Sequence, residues 1–310
     1  MKRYSKIVLA GGSGQIGTAL VTHFKDKAES IIILSRAPEK YDGNVHVLNW
    51  DGKTVGTWAK ELDGADMLIN LAGKNVNCRY NEKNKEGIIN SRVNSINALA
   101  DAIAQCTTPP ELYIQSASAT IYRHAEDRPM TEQDKEIGDG FSVEVCKKWE
   151  GSFLEKTKQF TGMRKAILRI SLVMGSKEGV FPRLRNLVKF GLGGKQGNGR
   201  QMVSWIHEKD VAGIVEWIME HPELEGAFNC TSPFPITNKE MMRIIRKVMS
   251  MPFGLPAPVA VLELGAFLIG TETELILKSR WVLPERISKA GYQFILPDMK
   301  DAVQNILSER

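Results

Sequence analysis

A chain of 310 residues, 43% hydrophobic and 25% charged, is long enough for one large α/β domain with an appended lobe, and it can bury a core without covalent staples. Its net charge of +5 comes from 41 Lys and Arg scattered among 36 Asp and Glu, which describes a mildly basic surface and argues against a nucleic-acid partner. Cys78, Cys106, Cys146 and Cys230 stand far apart with no C-x-x-C pair, which excludes a disulfide framework or zinc site and fits a reducing cytoplasm.

The charged start at residues 1–6 runs straight into a short apolar segment and lacks the long apolar stretch of a signal peptide, so the mature protein is expected to begin there. From that point strand-like and helix-like segments alternate. The patterning predicts strands at 6–10, 31–35, 45–49, 67–71 and 112–115, and helices at 15–27 and 85–105. Runs such as IVLA and IIILS are apolar throughout, as in strands covered on both faces. The expected fold class is therefore α/β, a Rossmann-type doubly wound parallel sheet.

After a further strand-like segment at 165–170 the pattern loosens into FGLGGKQGNGRQ and then helices with proline punctuation, which predicts a smaller C-terminal substrate lobe. The expected division is 1–173 and 174–310, with parts of 205–235 returning to the first domain and a helix at 211–219 packed on it. The most apolar tract, 256–270, is broken by Glu263 and is too short to span a bilayer, so no membrane partner is expected.

LAGGSGQIG places Gly11, Gly14 and Gly17 between the first strand and the first helix. Gly11 can make the tight turn, Gly14 lets backbone approach a pyrophosphate, and Gly17 lets helix and strand pack closely. The helix-start N–H groups, including those of Gln15 and Ile16, then face the anion. At the end of the second strand an NAD protein offers an acid to the ribose hydroxyls, whereas this chain has Ser35 and Arg36, which suit a 2′-phosphate. The expected cofactor is NADP(H), with Trp50 and Leu71, Ala72 and Gly73 as further walls at carboxyl strand ends. No His, Cys, Asp or Glu grouping has ligand spacing, so no metal is expected.

GGSGQIG, INLAG and SASATIY resemble the extended short-chain dehydrogenase/reductase superfamily. KKWE, LRISLVMG, GLGGKQGNGRQMVSWIHEKD and VLPERISKAGYQF, in that order, closely resemble its atypical "epimerase family" branch, which ends in a domain of unknown function. The resemblance covers essentially the whole chain. It implies an NADP(H) site on the N-terminal domain, a pocket roofed by the C-terminal lobe, and an epimerase or oxidoreductase activity on a small polar or nucleotide-sugar substrate. Some members carry a cell-division label, which keeps a non-catalytic NADP(H) sensor open as the alternative. A protein partner or a homodimer also stays open.

The superfamily resemblance further implies a Ser near the end of the fifth strand and a Tyr-x-x-x-Lys pair on the following helix. Ser116 and Ser118 supply the serine, but FSVEVCKKWE puts Ser142 and Cys146 in the Tyr and Lys positions when Glu150 anchors the comparison. A serine hydroxyl is too weak an acid to replace a phenol, and a buried thiol is a small apolar group unless something activates it. The expected catalytic residues are thus Ser118 and Tyr122, the nearby phenol, with a pocket-wall role for Tyr122 as the alternative. Lys147 or Lys148 is a candidate cation or a solvated helix charge.

Arg92 resembles a cofactor-side arginine of the family or is a surface helix charge. Val173 reaches the nicotinamide end through its backbone or is a core valine. Asn75 meets ribose or substrate, or only forms a turn. Arg200, Gln201, Trp205 and His207 are expected to line the substrate pocket, His207 acting as a general acid or as an ordinary hydrogen-bonded histidine.

Overall fold

The computed structural model describes residues 3–263 and 272–309. Six apolar segments pair in parallel: β1 (Tyr4–Ala10), β2 (Ala28–Ser35), β4 (Val45–Asn49), β5 (Met67–Asn70), β6 (Leu112–Ser118) and β7 (Arg164–Ile170). An edge strand β3 (Lys40–Asp42) runs antiparallel to β4. A late strand β11 (Gly226–Cys230) joins β7, giving the order β11-β7-β6-β5-β1-β2-β4-β3. Order reverses between β1 and β5, the switch point at which such sheets open a crevice beyond their carboxyl ends.

Helices cover both faces. On one, α1 (Gln15–Phe24) and α5 (Glu208–Glu220) pack Leu20, Phe24, Val211, Ile214, Val215 and Ile218 over Ile7, Leu9 and Ile31. On the other, α2 (Glu82–Ile103) and α3 (Phe141–Thr157) bring Ile96, Leu99, Trp149 and Phe153 over Val8, Leu68 and Tyr113. Each fully buried aliphatic side chain contributes about 1.5–3 kcal/mol relative to exposure, so both helical layers are firmly attached.

A third cluster lies outside the sheet. There α4 (Phe181–Lys189), α6 (Asn238–Val248) and a last helix α9 (Met299–Ser308) pack Phe181, Met242, Ile245 and Val303 around Trp205. Short pairs connect it to the sheet: β8 (Leu172–Met174) with β10 (Trp205–His207), and β9 (Met202–Val203) with β12 (Ile236–Thr237). Two short helices, α7 (Glu274–Leu277) and α8 (Glu285–Lys289), belong to the C-terminal segment.

Element limits shift from those expected. The first helix ends at Phe24 instead of residue 27 because Ala28 is already paired with Tyr4, leaving 25–27 for the turn. The long helix begins at Glu82, where the Asn81 side chain caps it by accepting from the Asn84 amide. β6 continues past 115 to Ser118, held to that length by pairing with Ile170. The apolar tract 256–270 is described only as far as 263, and its remainder lies outside the described residues. No helix among the described residues is long and apolar enough to cross a membrane.

Candidate functional site

In the turn between β1 and α1, Gly11, Gly12 and Gly17 cannot be exchanged without a steric clash. Gly11 sits at φ +76°, and a Cβ there would fall 2.6 Å from the Ala72 backbone at the end of β5. A Cβ on Gly17 would lie 2.0 Å from the Gly12 carbonyl oxygen. Gly12, which the spacing argument passes over, is equally restricted, since its Cβ would lie 2.7 Å from Leu9. Gly14 is different. It caps α1 with ordinary φ −94° and no side-chain bond, and a Cβ would meet nothing within 4 Å. The space above Gly14 is open, and the first-turn amides of Gln15 and Ile16 have no carbonyl a turn earlier in the helix to accept them. Ile16 itself packs its side chain against the sheet core.

Beside this turn a cavity of about 240 Å³ is lined by Gly12, Ser13, Thr18, Ser35, Ala37 and Val47. Ser35 is buried and its Oγ accepts from the Ala37 amide at 3.1 Å, leaving its proton to donate. Arg36, between the lining residues Ser35 and Ala37, is exposed. The Gln15 carboxamide crosses to the other side of the turn and donates to Glu208 at 3.0 Å, against Gly175 and Gly179. Burial raises the Glu208 carboxyl above the usual range.

Of the other expected cofactor walls, Leu71, Ala72 and Gly73 follow β5 directly and face the glycine turn through the Ala72–Gly11 approach. Trp50 departs from expectation. Its ring is buried against Trp58 and its indole N–H donates to the Thr54 carbonyl, so the core takes the side chain. Arg92 is no surface charge. It is buried under Gly73, donates to the carbonyls of Lys74 and Ile88, and lies 4.6 Å over the Trp149 ring. Burial lowers its pKa to about 10. Val173, half-buried in β8, pairs with Ile206 and packs on the sheet core.

At the end of β6, Ser118 Oγ accepts from the Thr120 amide and donates to Thr120 Oγ1 at 3.0 Å. Ser116 is spent on the Asn70 carbonyl. Tyr122 does not stand at an open site. It is 1% exposed, its hydroxyl donates to Asn229 and accepts from Arg169, and Arg169 makes a bidentate pair with Glu150. Burial raises the Tyr122 phenol above its ordinary value. These contacts hold the Tyr122 hydroxyl between the Asn229 and Arg169 side chains.

The residues in the Tyr and Lys positions have other neighbours. Ser142 Oγ donates to Glu274 at 3.2 Å and lies 3.4 Å from the Tyr80 hydroxyl. Cys146 is buried, and burial followed by the Glu150 carboxylate pushes its thiol up to about 12, so it is inert. Lys148 pairs with Glu144 on the outer face of α3, and Lys147 is exposed. The cations that do act on Cys146 are Arg92 and, from beyond α7, Arg280 and Lys278. Arg280 Nε donates to Thr120 Oγ1 at 3.1 Å, which links it to Ser118.

The residues expected to line a substrate pocket do not converge. Trp205 is fully buried and donates to the Phe234 carbonyl, and Gln201 is buried with its amide on the Gln196 carbonyl. His207 is fully buried and caps α5, its Nδ1 accepting from the Lys209 amide at 3.1 Å; burial lowers its pKa to about 4. Arg200 is exposed on the loop. Asn75 forms a turn with the Asn77 amide. The short strands β9 and β10 draw Trp205 and His207 inward as packing and capping groups. Sequence reasoning missed Tyr80, Glu274, Lys278 and Arg280, because none belongs to a spaced motif and the last three lie far along the chain. Among the described residues, no group of three or more His, Cys, Asp or Glu could hold a metal ion.

Residues 7–231 match the model of the NAD dependent epimerase/dehydratase family, and residues 257–306 match a domain of unknown function, DUF1731. The chain is 29% identical over 307 residues to the epimerase family protein YfhF of Bacillus subtilis, covering 98% of each. It is 27% identical over 306 residues to the chloroplastic SDR39U1 homolog of Arabidopsis thaliana, covering 97% of this chain and 86% of that one. The crystal structure of human epimerase family protein SDR39U1 (isoform 2) with NADPH superposes with a TM-score of 0.86 at 26% identity, covering 98% of this chain and 100% of that one. With a match that spans the sheet from β1 to β11, the chain belongs to the NAD dependent epimerase/dehydratase family.

Proposed function

We propose that the protein binds NADP(H) and acts as an oxidoreductase or epimerase on a small polar substrate, a nucleotide sugar among the candidates. The observation that carries this reading is the glycine turn. It leaves open space and helix-start amides above Gly14, and beside it lies a cavity bordered by Ser35, with Arg36 in place of an acid. The human relative with NADPH supports the same cofactor.

Bound there, the cofactor supplies hydride chemistry. The protein's own groups do the rest. Ser118, at the carboxyl end of β6, orients a substrate oxygen. Tyr80, whose phenol burial keeps above its ordinary pKa, stays protonated and donates to that oxygen. Ser142 and Glu274 hold the phenol's neighbourhood. The C-terminal lobe, 174–310 with 205–235 returning to the sheet, excludes water from the crevice. The free thiols fit a reducing cytoplasm.

A sensor without turnover is the second reading, favoured by the inert Cys146 where the family places a lysine. The experiment that separates them loads the protein with NADPH and screens carbonyl compounds and sugar nucleotides for cofactor oxidation. Turnover establishes an enzyme. Tight NADPH binding with no turnover across the panel supports the sensor, and no NADPH binding refutes both.

A further inference from the structure

Residues 278–280 of the C-terminal segment carry two neighbouring cations, of which Arg280 reaches Thr120 beyond the carboxyl end of β6. Lys278 keeps only 9% of its side chain exposed and meets one carboxylate, Glu274, at 3.7 Å, with its Nζ also on the Asp139 carbonyl. Glu274 is shared, since it also accepts from Ser142. Arg280 has no carboxylate within ion-pair distance among the described residues. Its Nε is on Thr120 Oγ1 and its Nη1 on the Lys278 carbonyl, while Nη2 is shielded from solvent without any acceptor. Arg92, which is buried, also acts electrostatically on Cys146, as Arg280 and Lys278 do. Burial lowers the pKa of Arg280 and of Lys278, and the neighbouring Arg280 lowers Lys278 further, so these charges are held against both desolvation and mutual repulsion.

A guanidinium kept out of water with an unused donor is costly unless an anion completes it. We infer that Lys278 and Arg280 form a receptor for a carboxylate on the substrate, beside Ser118 and Thr120. This rests on the reading of the β6 end as the site of chemistry. A single unpartnered Nη2 and a single shared counter-ion suit one carboxylate group, which makes the substrate a hydroxy or oxo acid. The carbonyl or hydroxyl would lie at Ser118 and the acid group at Arg280.

The test is isothermal titration of the protein, with and without NADPH, using malonate, its neutral diamide malonamide, and inorganic phosphate. Saturable binding of malonate and none of malonamide is expected. Arg280→Gln and Lys278→Met should each weaken malonate at least tenfold, with NADPH affinity, followed separately by fluorescence, unchanged within twofold. Equal binding of malonate and malonamide, no binding of malonate, or unchanged affinity in the folded variants overturns the proposal. Arg280-dependent binding of phosphate alone overturns the carboxylate assignment. If Arg280→Gln does not fold, Lys278→Met alone decides. Failure of NADPH to bind the unaltered protein counts against the cofactor reading, and the titration without NADPH still decides the anion site.

Discussion

The hydroxyl of Tyr122 donates to the carboxamide of Asn229 at 2.9 Å, joining the end of β6 to the last strand of the sheet across 107 residues. With Arg169 and Glu150 behind it, this contact makes Tyr122 a strut. Tyr122→Phe should cost about 1–3 kcal/mol, because it leaves buried donors and acceptors of Asn229 and Arg169 without their partner. Urea unfolding measures this. A variant as stable as the parent but slower in turnover would restore Tyr122 to the chemistry.

Tyr80→Phe has the opposite signature. It removes the hydroxyl 3.4 Å from Ser142 and keeps the ring packed on Phe141. Once a substrate is in hand, kcat should fall by roughly 10²–10⁴, the usual contribution of acid assistance, with NADPH affinity unaltered. Unchanged kcat would remove Tyr80 from the mechanism.

Arg36→Ala should weaken NADPH by about 1.5–3 kcal/mol and leave NADH nearly unaffected, since a charge-assisted contact to the 2′-phosphate is lost. Titration calorimetry with both cofactors checks it. Equal losses would show that Arg36 does not read the phosphate.

Gly14→Val should fold but no longer bind. Its φ of −94° suits any residue and its Cβ meets nothing within 4 Å, so the new side chain enters the space reserved for the ligand. NADPH should then give no rise in melting temperature, whereas the parent gains stability by linkage. Gly17→Ala, whose Cβ would sit 2.0 Å from the Gly12 carbonyl, should instead disturb the fold itself.

His207 makes a pH prediction. Burial, assisted by Lys209, lowers its pKa to about 4, so between the unfolded value and that figure the unfolded chain holds more protons. The stability tied to its neutral form is present above about pH 6.5 and is lost as pH falls toward 4, by roughly 2–4 kcal/mol. His207→Asn keeps a capping acceptor and removes the titration. Its unfolding free energy should decline less than the parent's across that window, and parallel curves would contradict the assignment.

The cradle was legible because its requirements are local: a strand, a tight turn and a helix start within about fifteen residues leave glycines at fixed spacing. The sheet was legible for a similar reason, since IVLA and IIILS are buried on both sides. The proposed chemistry was not. Tyr80 stands in a loop without periodicity, and Arg280 reaches Thr120 from some 160 residues away. Trp205 and His207 looked like pocket residues because their types suit ligands, yet both are buried in β10. Residue type speaks to what a side chain can do, and only packing decides which way it faces.

The position of β11 bears on how this chain acquires its shape. β7 ends at Ile170, and the strand that covers its outer side begins at Gly226. During synthesis the parallel sheet must therefore wait, with one hydrogen-bonding edge bare and the apolar face beneath α5 unroofed, while the intervening segment is made. A fragment cut at 173 would carry the whole phosphate turn and still present that edge to other chains. Solubility of such a fragment should be poor unless its end is extended through Cys230, which makes residue 230, rather than 173, the natural place to truncate.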